Sequence, residues 1–115
     1  MSSFLHLKVH GVATGKRVHS AVRWWQRAIG LLATRELQDP CGMWIAPCNA
    51  VHTFGMRYAI DLIYLTRDGV AIKIVHRLAP WRMSSCRHAF STLELRAGLA
   101  AELQLSPGVK LQLHD

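Results

Sequence analysis

The sequence predicts a mainly β domain, a compact β-sandwich or partly closed barrel with one or two short helices. Three observations carry that expectation. Short runs of apolar residues recur along the chain with turn residues between them. Two of these runs, "IDLIYLT" and "VAIKIVH", flank an Asp68-Gly69 turn, the strongest local hairpin signal in the chain. Helical spacing is confined to two short stretches, so strands do not alternate regularly with helices and a parallel α/β fold is disfavoured. The length of 115 residues fits one domain spanning residues 1–115.

The elements follow in order. In "FLHLKVH", Leu5, Leu7 and Val9 point one way and His6, Lys8 and His10 the other, which predicts a half-buried strand. "GVATGKR", residues 11–17, reads as a turn. From 18 to 33, Val18, Ala21, Val22, Trp25, Ala28, Ile29 and Leu32 fall at three-and-four spacing, predicting an amphipathic helix with Arg23, Trp24 and Arg27 on its other side. "QDPCG" ends that pattern, and "MWIA" is a short strand. Residues 60–66 are apolar on nearly both faces, as a central strand would be, and 70–76 are their hairpin partner. Residues 78–90 read as a loop, 91–96 as a strand and 97–105 as a short helix. The turn at "SPG" leads into a last strand, with Val109, Leu111 and Leu113 on one side.

Composition bounds function loosely. Half the residues are hydrophobic, enough for a real core without disulfides or metal. Lys and Arg total 14 against 7 Asp and Glu, and lysine supplies four of them. An arginine-rich surface suits carboxylates, phosphates and aromatic faces. It fits an acidic protein, a peptide or a small anionic ligand as partner, or simple solubility. No RNA-binding signature, phosphate loop or helix-turn-helix pattern is present. The N-terminus does not read as a secretory signal, no run is long enough to span a membrane, and three cysteines fit a reducing compartment. A cytoplasmic address is expected by default.

The stretch "PCNAVHTFGMRYAID", residues 47–61, concentrates the chemistry-bearing side chains. Cys41, Cys48 and His52, with Cys86 and His88 later, supply soft ligands for zinc, but without the close cysteine pairs of structural zinc sites. Cys48, His52 and Asp61 supply the residue types of a nucleophile, a base and an orienting carboxylate. A third reading is structural. His52 and Thr53 bond to backbone in a buried loop, Met56 and Phe54 fill core space, and Asp61 pairs with Arg57 or Arg82. A fourth is a ligand surface, with Trp44, His52, Phe54, Trp81 and Arg82 around an apolar floor and Arg57 and Asp61 beside them. The ligand surface is the working expectation. It assigns no residue a catalytic or metal role and requires no cofactor.

The ordered set His52-Thr53, Met56, Ile60-Asp61, Asp68-Gly69 and Leu93-Glu94-Leu95 with Gly98 resembles the domain-of-unknown-function family 192 over about residues 9–113. That resemblance implies a β-sandwich-like domain with short helices, and it implies no activity, cofactor or catalytic residue. Many members place an aromatic residue where this chain has Gly55, so the resemblance does not imply a shared ligand.

Overall fold

The strand β5 (Ile60–Leu65) organises the molecule, and all six of its residues are buried. Its alternate side chains belong to different hydrophobic clusters. Ile60, Leu62 and Tyr64 join one, Ile63 and Leu65 the other. Burying each such aliphatic side chain contributes roughly 1.5–3 kcal/mol, so a strand covered on both faces takes the central place. The computed structural model describes residues 3–21 and 41–115. Within them, β5 lies between β6 (Ala71–Leu78) and β8 (Ser91–Arg96), as its unbroken apolar run predicts.

Seven strands form one sheet in the order β6-β5-β8-β3-β2-β1-β9, with β1 at Ser3–Val9, β2 at Val12–Ala21, β3 at Gly42–Ile45 and β9 at Leu111–His114. Neighbours are antiparallel except β2 and β3, which run parallel. A second sheet pairs the short strands β4 (Ala50–His52) and β7 (Met83–Ser85). The helix α1 (Leu99–Glu102) buries Leu99 and Ala100 in the cluster that contains Ile63 and Leu65. Val51 of β4 packs into the other cluster, beside Met43, Ile45 and Tyr64.

The sheet curls until its outer strands touch. Val70 and Lys110 form an isolated antiparallel bridge, and Gly69 and Ala71 exchange backbone hydrogen bonds with the segment before and into β9. The Leu111 amide donates to the Gly69 carbonyl at 2.8 Å, and the Ala71 amide donates to Val109 at 2.9 Å. The seven strands are thereby stitched at one point without closing into a full barrel.

Two expectations at the N-terminal side are corrected. Residues 12–17 are not a turn but most of β2; the turn is the pair His10 and Gly11, both at positive φ. Val9 opposes Val12 across it, a two-residue hairpin connection. Val18 to Ala21, expected in a helix, continue β2, because they pair with β1 on one side and with β3 on the other. The remainder of the expected helix, 22–33, lies outside the described residues. The stretch 78–90, expected as loop, contains β7.

Candidate functional site

The strands β4 and β7 hold the exposed part of the central motif against the main sheet. Val51 faces inward, and so does Ser84, directly opposite it. The Tyr64 hydroxyl donates to Ser84 Oγ at 2.9 Å, tying β7 to the buried central strand. Burial pushes the Tyr64 phenol above its ordinary pKa, so it stays a neutral donor. With Val51 and Ser84 turned in, strand alternation turns His52 and Met83 out, as a cross-strand pair.

Beyond β4, Thr53 is fully buried and acts as a pin. Its hydroxyl donates to the Ala79 carbonyl at 2.7 Å and accepts the Arg82 amide at 2.9 Å. Its backbone carbonyl accepts the Trp81 amide at 3.0 Å, and its amide donates to Arg82 at 2.9 Å. These bonds lock the 79–82 loop, where Trp81 sits at φ 63°, against the end of β4. The consequence is an aromatic row on the surface. The His52 and Phe54 rings lie 5.1 Å apart, and Phe54 stacks on Trp81 at 6.0 Å. Phe54 is 45% exposed, Trp81 64% and Met83 73%. Arg57 and Arg82 are exposed on the same two segments.

Five of the seven expected ligand residues, His52, Phe54, Arg57, Trp81 and Arg82, therefore come from two segments that Thr53 fastens together. The structural alternative is right for Thr53 and Met56, which are buried, and not for His52 and Phe54, which are on the surface. Trp44 lies elsewhere. On β3 it points away from Met43 and Ile45 and packs against the cluster that contains Ile63 and Leu93.

Asp61 is fully buried, and its hydrogen-bond partners are backbone amides rather than the Arg57 or Arg82 side chains. Its carboxylate accepts N–H bonds from Arg77 at 2.8 Å, Gly98 at 3.0 Å and Ala100 at 2.9 Å. Arg77 and Gly98 both have positive φ, at 53° and 95°, and together with the first turn of α1 they aim their amides at one point. A carboxylate is the group that satisfies such converging donors. This device was not visible in the side-chain pattern, because backbone amides carry no letter of their own.

The nucleophile arrangement does not assemble. Cys48 packs on the Tyr64 side of the sheet, with its thiol donating to the Ala50 carbonyl at 3.3 Å, whereas the Asp61 carboxylate is taken up by amides at α1. Among the described residues, no group of three or more His, Cys, Asp or Glu side chains is arranged to hold a metal ion. Nor is any helix among them long and apolar enough to cross a membrane.

The DUF192 family model, described as an uncharacterized ACR family, matches residues 5–113. The chain belongs to the DUF192 family. The motif that resembled this family corresponds in the structure to the Thr53 pin, the Asp61 anchor and the β5–β6 turn. Two crystal structures share the fold of this DUF192 chain. One, from Sinorhizobium meliloti 1021, is of a protein proposed as a transcription regulator; it is 22% identical, with a TM-score of 0.84 over 97% of this chain and 95% of that one. The other, from Novosphingobium aromaticivorans DSM 12444, is of a protein of unknown function; it is 24% identical, with a TM-score of 0.76 over 95% of this chain and 84% of that one. At these identities the likeness concerns the fold alone. No curated protein matches the chain.

Proposed function

We propose that this DUF192 domain is a non-enzymatic binding or accessory module that recognises an acidic, peptide-like partner. Its contact surface is the row His52, Phe54 and Trp81, with Met83 and the two arginines Arg57 and Arg82. The observation that supports this reading most is the stacked and exposed Phe54–Trp81 pair, fastened by a buried threonine. Exposed aromatic groups on a rigid backbone lose little entropy on binding, and aromatic and arginine residues are the usual energetic anchors of interfaces. Arginine adds forked donors for carboxylates. Asp61 and Trp44 enter this reading as supports of the sheet, not as contacts.

A peptide array probed with purified domain tests it. Wild type retains acidic peptides that carry an apolar residue, and Trp81→Ala and Arg82→Ala each lose that retention while their circular dichroism is unchanged. Truncating an anchor of this kind costs about 2 kcal/mol or more, some thirtyfold in affinity. Identical peptide profiles for wild type and both variants would remove the reading.

A further inference from the structure

A second concavity lies where the curled sheet fails to close, and it shares no residue with the aromatic row. Its volume is about 500 Å³, inside the range of roughly 300–1,000 Å³ typical of small-molecule sites. The floor is the rim of the hydrophobic core: Trp44, Leu65, Leu111 and Leu113. One wall is a stack in which the Arg67 guanidinium lies 4.3 Å from the centre of the Phe90 ring. Lys8 on β1, and Lys110 and His114 at the two ends of the neighbouring β9 segment, also line it, and Asp68 is the carboxylate among the lining residues. Lys8, Arg67 and Lys110 thus outnumber the acidic group three to one.

The walls are held by backbone. Phe90 donates to the Leu65 carbonyl at 2.8 Å, and His10 donates to Lys110 at 2.9 Å. Thr66 Oγ1 accepts the Val70 amide at 3.1 Å. The Val70–Lys110 bridge ties the lining residue Lys110 to the β5–β6 turn, which supplies Arg67, Asp68 and Gly69. The lining residues supply aromatic groups in Trp44 and in the Arg67–Phe90 stack, and positive charge in the two lysines.

We propose that this cleft binds a small organic anion with a planar ring, of the size of a mononucleotide. Its ring lies against Trp44 and the Arg67–Phe90 wall, and its phosphate or carboxylate lies between Lys8 and Lys110. Stacking supplies the ring contact and charge-assisted hydrogen bonds hold the anion.

Titration of the full chain with AMP, followed by backbone amide NMR, tests the proposal. AMP shifts resonances of residues 65–69, 90–91 and 110–114, and adenosine or inorganic phosphate alone binds about tenfold or more weakly, since each lacks one half of the recognition. Lys8→Gln and Lys110→Gln each weaken AMP by about tenfold, as expected for loss of a charged donor. Arg67→Gln weakens AMP and adenosine alike. Trp81→Ala leaves every AMP shift in place, which separates this cleft from the aromatic row. A short oligoadenylate binds no more tightly than AMP. The proposal falls if AMP moves no cleft resonance at millimolar concentration, if shifts scatter over the basic surface, if inorganic phosphate matches AMP, or if the oligoadenylate binds far more tightly.

Discussion

The Asp61 carboxylate takes N–H groups from two separate segments, the end of β6 at Arg77 and the turn into α1 at Gly98 and Ala100. Each segment carries a left-handed residue, a conformation that costs free energy unless its surroundings fix it. Asp61→Asn keeps the shape but turns an NH₂ group toward at least one of these amides. We expect a loss of about 2–3 kcal/mol, the cost of a buried donor left facing a donor at a charge-assisted site. The urea midpoint of the variant measures it; a midpoint equal to wild type would show that the amides need no anion. Thr53 makes a comparable case with a surface consequence. Thr53→Val removes the hydroxyl that serves both Ala79 and Arg82. The expected cost is about 1–3 kcal/mol. NMR distance contacts between the Phe54 and Trp81 rings should weaken as the 79–82 loop loosens. A variant that keeps those contacts would show that the row holds itself.

Glycines at the sheet junctions decide how closely the elements approach. Gly42 opens β3, and a methyl group there would run into the backbone carbonyl of Glu94 on the neighbouring strand β8. Gly69 has φ +86° in the β5–β6 turn, and a methyl group there would meet the Leu111 carbonyl on β9. Gly69→Ala therefore adds left-handed strain and pushes apart the one place where the two outer strands meet. The expected loss is about 1–3 kcal/mol, with hydrogen-exchange protection lost first at Ala71 and Leu111. Uniform loss of protection across the sheet would contradict that local origin. The Asp68-Gly69 turn is legible in the sequence because it needs only its own residues and two alternating neighbours. The stitch to β9 is not, since it joins segments some forty residues apart. The same contrast explains β2. "VATGKR" is small and polar, with no alternation to read, and it is a strand because it pairs with β1 across the two-residue turn. Val18, Ala21 and Val22 match helical spacing, yet pairing with β1 and β3 overrides it at 18–21. In the candidate site, residue type alone singles out His52, Phe54, Trp81 and Arg82. What brings them together is a hydroxyl and six backbone groups, which side-chain patterns do not reveal. The cleft at Trp44 is lined by residues 8, 44, 65–69, 90–91 and 110–114, and no single window contains them.

For the molecule as a whole, charge links stability to pH. The chain carries a formal charge of +7 at pH 7 with its 7 histidines neutral, so acidification adds positive charge to a protein already positive. One histidine adds a specific effect. His19 lies on β2 with its ring centre 4.7 Å from that of Phe4, and burial holds its pKa below the ordinary histidine value. In the unfolded chain His19 takes up a proton near about pH 6.5; in the native protein it does so only at lower pH. Between these points the unfolded state binds more protons, so stability rises with pH there. The native advantage is complete above about pH 6.5 and is lost as pH falls through that value toward the native one. His19→Gln removes this proton and should flatten the fall in urea midpoint between about pH 7.5 and about pH 5. General repulsion is distinguished by salt, because a Debye length of about 3 Å at 1 M screens exposed charges but not the cost of charging a partly buried ring. The difference between wild type and His19→Gln should therefore persist in 1 M salt. If the two proteins follow parallel curves, or if salt erases their difference, acid sensitivity belongs to the summed surface charge and not to His19.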